Sequence, residues 1–66
     1  MRIRLNGEAH ELEAELTILE LLERLAIDHR RVAVEHNLVI VKRDRYGATT
    51  IRDGDEVEIV NFVGGG

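Results

Sequence analysis

The sequence stops on "NFVGGG", residues Asn61 to Gly66. Glycine loses more backbone freedom on ordering than any other residue, so three in a row make poor core material. Their value lies in what they lack. Without Cβ atoms, Gly64 and Gly65 can thread a narrow channel, and the carbonyl carbon of Gly66 stays open to attack. The chemistry this permits is acyl activation. A terminal carboxylate attacks ATP, pyrophosphate leaves, and a nucleophile then displaces AMP from the acyl-adenylate. Six extended residues reach about 20 Å, enough to carry Gly66 from a folded body into another protein's active site. The expectation is a folded domain over residues 1–63 and a mobile tail over 64–66. The competing reading of the glycines is a frayed terminus.

No other residue set offers comparable chemistry. There is no Cys, hence no disulfide, thiolate nucleophile or Cys-ligated metal. No GxxxxGK[ST] loop is present to cradle phosphates, so ATP and Mg²⁺ must belong to a partner and no cofactor is expected here. His10, His29 and His36 lack the spacing and companions of a metal site and read as solvent-facing. Asp53, Gly54 and Asp55 lack the remaining ligands of a calcium loop and read as a tight turn. "HRR" and "KRDR" read as solvated basic clusters, and Glu20 and Glu23 as helix-surface groups. Without a catalytic constellation, the chain reads as a substrate-like carrier and not an enzyme.

Composition narrows the partners. Net charge is −4 with Lys and Arg scattered, which gives no basic face for nucleic acid. There is no apolar run of membrane-spanning length and no signal-peptide core after Met1, so a cytoplasmic protein is expected. Sixty-six residues, 44% hydrophobic and 33% charged, describe one small globular domain. The only aromatics are Tyr46 and Phe62, so the core is expected to be aliphatic.

The elements that position the tail follow from periodicity. Met1, Ile3 and Leu5 alternate with Arg2 and Arg4, the period of a strand. Asn6–Gly7 is a type I′ hairpin signal, with a second strand over residues 8–12. Ile18, Leu21, Leu22 and Leu25 then form one helical stripe. Thr17 and Glu20 make a capping box, and Glu20 can pair with Arg24. After a short polar link, "RVAVEHN" reads as a third strand with Val32 and Val34 inward, and "LVIVKR" as a fourth. "DRYGATT" reads as irregular chain, "DGD" as a turn and "EVEIVNFV" as the last strand. One helix can cover one face of such a sheet, which makes the fold α+β. The order is that of a β-grasp, or ubiquitin-like, fold: a small mixed sheet covered on one face, with the last strand central beside the first; a split βαβ arrangement is the alternative topology.

Parity in the last strand separates Val57 and Ile59, toward the helix, from Glu56, Glu58, Val60 and Phe62 on the open face. Apolar side chains exposed beside a reactive tail suggest a hold for a partner. Val60, Phe62 and the adjacent Val63 are the residues assigned to it.

With these residues in view, the sequence resembles the ThiS-type sulfur carriers of thiamine biosynthesis over nearly its whole length. The matching pieces are "LNGE" at Leu5–Glu8, "VAVEHNLVIVKR" at Val32–Arg43 and, most specifically, "DGDEVEIVNFVGGG" at Asp53–Gly66. The resemblance implies a β-grasp protein whose Gly66 carboxylate is adenylated by a ThiF-type enzyme. Sulfur drawn from cysteine through a desulfurase persulfide then replaces AMP, leaving a thiocarboxylate. A ThiG-type thiazole synthase takes that sulfur into the thiazole ring. Two alternatives stay open: a carrier for another pathway, of the molybdopterin synthase small-subunit type, and a ubiquitin-like modifier or interaction module.

Overall fold

A computed structural model describes residues 1–62. The chain opens with β1 (Arg2–Leu5) and β2 (Glu8–Glu11), antiparallel, with Leu5 opposite Glu8. The two loop residues take positive φ, 50° at Asn6 and 83° at Gly7, as the Asn-Gly pair predicts for a type I′ turn. Ile3 is buried, while Arg2 and Arg4 face solvent.

A two-residue strand, β3 (Leu16–Thr17), leads into α1 (Ile18–Arg24). The capping box forms as expected: the Thr17 hydroxyl accepts from the Glu20 N–H at 3.1 Å, and Glu20 Oε1 accepts from the Thr17 N–H at 2.8 Å. The expected Glu20–Arg24 ion pair is absent among the described residues, because the carboxylate is turned back onto the cap. The Thr17 backbone N–H is the main cause of a lowered Glu20 pKa, and Arg24 adds only a weaker attraction through space. Ile18, Leu21 and Leu22 are fully buried, and Leu25 packs against the core from the C-cap.

The link after the helix is less polar than its expected role. Ala26 takes φ 58°, with its N–H donating to Glu23 O and the Ile27 N–H to Leu22 O at 2.9 Å. These paired bonds are a Schellman motif, which folds an apolar residue back on the helix end. Ile27 accordingly packs against the core. A 3₁₀ turn (His29–Arg31) capped by Asp28 then delivers β4 (Val32–His36).

β4 turns at Asn37 and Leu38, both at positive φ, into β5 (Val39–Val41), with His36 opposite Val39. A second 3₁₀ turn (Arg43–Arg45) precedes β6 (Thr50–Ile51), which pairs with β3, and β7 (Glu56–Asn61) completes the chain. The sheet order is β2-β1-β7-β4-β5, with β7 parallel to β1 and antiparallel to β4. The last strand thus lies centrally beside the first, the expected β-grasp arrangement.

The core is not purely aliphatic. Tyr46 is 3% exposed and its hydroxyl donates to the Val32 carbonyl at 3.2 Å. Its position follows from the chain around it: the Leu19 N–H donates to Tyr46 O, and the Ile18 N–H to Thr49 O, so the loop is tied across the helix start. A buried Tyr is stable where its hydroxyl finds such a partner.

Candidate functional site

The candidate site lies where β7 leaves the sheet, held between β4 and β1. Val34 opposite Ile59 and Ala33 opposite Val60 fix its register on β4. The Phe62 N–H donates to Arg31 O at 2.9 Å, so the ladder continues one residue past the strand. Val57 is buried and Ile59 half-buried beneath the helix, while Glu56, Glu58, Val60 and Phe62 are exposed. The expected parity therefore holds. Val60 and Phe62 each retain 58% of their surface in water, on the face the helix does not cover. Val63, Gly64, Gly65 and Gly66, with the expected mobility of 64–66 and the upper boundary of the 1–63 domain, lie outside the described residues.

The same face carries a cross-strand pair of carboxylates, Glu35 opposite Glu58, with Ala33 beside Val60. Farther along, Leu38, Val39 and Ile40 are 78%, 65% and 75% exposed. These three were not singled out from the sequence. The available signal was an apolar run on both parities of a strand with no partner assigned to its outer edge.

The other end of the sheet is held by polar bonds that sequence reading also missed. His36 was expected to face solvent, but its side chain is only 19% exposed and its Nε2 lies 2.7 Å from Asp55 Oδ2. The carboxylate can only accept, so Nε2 carries the hydrogen. Asp55 also accepts from the Arg52 N–H at 2.9 Å and from Asn37 Nδ2 at 3.2 Å. Burial pushes the Asp55 carboxyl up; the Arg52 N–H, followed by His36 and Asn37, outweighs it and holds the pKa below its ordinary value. Asn37 Oδ1 accepts from the Glu56 N–H at 2.9 Å, closing the network on the start of β7. Asp53, in the turn, accepts the Arg2 N–H at 2.8 Å. These residues are structural clamps. Among the described residues no group of three His, Asp or Glu side chains is arranged to hold a metal ion, and no helix is long and apolar enough to cross a membrane.

The ThiS family model matches residues 3–66. This chain belongs to the ThiS family. The sulfur carrier protein ThiS of Bacillus subtilis is 37% identical over 65 residues, covering 97% of this chain and 98% of that one. The crystal structure of the thiamine biosynthesis protein ThiS from Geobacter metallireducens superposes with a TM-score of 0.88 at 36% identity, covering both chains fully. A thiazole synthase of Paramagnetospirillum magneticum is 46% identical over 66 residues. The chain spans 20% of the length of that relative and of a second thiazole synthase, from Magnetococcus marinus.

Proposed function

We propose that this chain is a sulfur carrier of thiamine biosynthesis, acting through the carboxylate of Gly66. The observation that carries the reading is the match to the ThiS family across residues 3–66, which takes in the glycine end. Support comes from the chemistry of that end and from the exposed Val60 and Phe62 directly before it. The carboxylate attacks the α-phosphorus of ATP on a ThiF-type enzyme and pyrophosphate leaves. A persulfide sulfur, raised on a partner by a cysteine desulfurase, attacks the acyl carbon and AMP leaves. A second thiol of the partner then attacks the acyl disulfide's outer sulfur. It departs as a protein disulfide and the thiocarboxylate remains on Gly66. Both thiols belong to partners, since this chain has no Cys. A ThiG-type thiazole synthase receives the sulfur, a pairing supported by relatives named thiazole synthase that contain a region like this chain. The carrier contributes an acyl group and a docking face, and is not itself an enzyme. Gly64 and Gly65 pass through the partner's channel, while Val60, Phe62 and Val63 hold the body outside it.

The test is ATP–pyrophosphate exchange by the ThiF-type enzyme of the same organism. Adding one residue after Gly66 should abolish exchange without changing the melting temperature. Burying one large apolar side chain is worth roughly 1.5–3 kcal/mol, so Phe62→Ala should raise the half-saturating carrier concentration about ten- to a hundredfold. Its melting temperature should move little, because 58% of the Phe62 surface is already in water. Normal exchange with the extended chain would overturn the reading. A collapsed melting temperature for Phe62→Ala would reassign the ring to the core.

A further inference from the structure

β7 has two unlike edges. Its even-numbered residues bond to β4: the Phe62 N–H donates to Arg31 O, and Glu56 O accepts from the Asn37 N–H at 2.8 Å. Its odd-numbered residues therefore turn their backbone groups toward β1. There Val57 O accepts from the Asn6 N–H at 2.9 Å, and the Ile59 N–H donates to the Asn6 side-chain Oδ1 at 2.7 Å. At that point the Asn6–Gly7 turn carries the chain away toward β2, and β1 pairs no farther than Leu5 opposite Val57. Among the described residues, the Ile59 carbonyl and both the N–H and the carbonyl of Asn61 have no hydrogen-bond partner. The central strand of the sheet thus ends in an open half-edge.

Beside this half-edge lies a groove of 330 Å³ lined by Leu5, Asn6, Leu25, Ile27, Ile59 and Asn61. Four of these are half-buried aliphatic side chains, and none of the six carries a charge. We propose that the half-edge and groove receive an extended segment of the adenylating enzyme, which adds as a short strand beside Ile59–Asn61 and places one apolar side chain in the groove. The inference rests on the carrier reading above. Free N–H and C=O groups at strand spacing select a peptide backbone, and an uncharged aliphatic groove selects an apolar side chain. The occupant comes from the adenylating enzyme because the half-edge runs directly into residues 63–66, whose last member must enter that enzyme's active site. Residues 64–66 are a poor occupant, because glycine has no side chain to fill the groove.

The experiment uses the full chain with the ThiF-type enzyme of the same organism, in two measurements. In hydrogen exchange, the Asn61 amide should exchange fast in the free protein and slowly in the complex. In binding, Asn61→Pro removes the outward N–H and sets a ring in the path of an added strand, while breaking no bond within the fold. It should weaken the complex at least about tenfold, and by clearly more than Asn61→Ala, which alters the same groove-lining side chain but keeps the N–H. Should Asn61→Pro fail to fold, the exchange measurement on the unaltered chain decides alone. An unprotected Asn61 amide in a complex that still supports pyrophosphate exchange overturns the strand addition and leaves the carrier reading standing. Equal losses from both variants assign the effect to the side chain and also overturn it. Protection that grows with protein concentration without the enzyme identifies a second copy as the occupant, again against the proposal. No pyrophosphate exchange with the unaltered chain takes down the carrier reading and this inference together.

Discussion

Asp55 shows how a single side chain can hold two turns and a strand in register. Three donors converge on it, from Arg52, His36 and Asn37, and its pKa is lowered in the folded protein. The unfolded value is about 3.9, so the stabilisation from this carboxylate is complete above roughly pH 4 and is lost as pH falls through the lowered folded value. Asp55→Asn should cost about 1–3 kcal/mol at neutral pH, because hydrogen bonds to a charged acceptor become neutral ones. It should also flatten the acid limb of the stability curve, so that variant and unaltered chain converge at low pH. Urea midpoints measured across the acid range check this; parallel curves at every pH would show that the carboxylate's charge contributes nothing. In the sequence, Asp53–Asp55 was legible as a turn, while His36 was expected to face solvent. Their joining was not legible, because 19 positions separate His36 from Asp55 and no local pattern signals such a pair.

At the scale of elements, the long periodic segments were readable and the short ones were not. The Asn6–Gly7 hairpin, the capped helix and the parity of β7 each rest on several residues that agree. β3 and β6 are two residues each, too short for alternation to show, and Tyr46 reaches the core from a 3₁₀ turn that has no apolar period. The helix C-terminus was missed for a different reason. Its Schellman motif places Ala26, not Gly, at positive φ, so the usual stop signal is absent. That substitution points to a gain in stability. An L-residue in the left-handed region costs roughly 1–2 kcal/mol, offset in part by the greater freedom of Gly in the unfolded chain. Ala26→Gly should therefore raise stability by a few tenths to about 1 kcal/mol, read as a higher urea midpoint at unchanged slope. A lower midpoint would mean that the Ala26 methyl makes contacts worth more than the strain.

Over the whole molecule, the fold divides its labour between the two faces of one sheet. The helix and the Tyr46 loop seal one face. The other keeps Val60 and Phe62 in water and leads the central strand out toward the glycines. The β-grasp architecture was legible because element order, helix count and the hairpin signal all pointed to it. The ThiS family was legible because the matching pieces, above all Asp53–Gly66, span nearly the whole chain. The half-edge at Ile59–Asn61 was not legible, since it depends on β1 ending one turn before β7 does. The central claim is that Gly66 carries sulfur, and intact-mass analysis of the protein isolated from its own cells tests it most directly. The account predicts a fraction of chains in which one oxygen of the Gly66 carboxyl is replaced by sulfur, a mass that rises by one alkyl group on mild alkylation of the thiocarboxylate and returns to that of the plain carboxylate on its hydrolysis. Chains found only as the plain carboxylate, or joined through Gly66 to lysine side chains of other proteins, would contradict it.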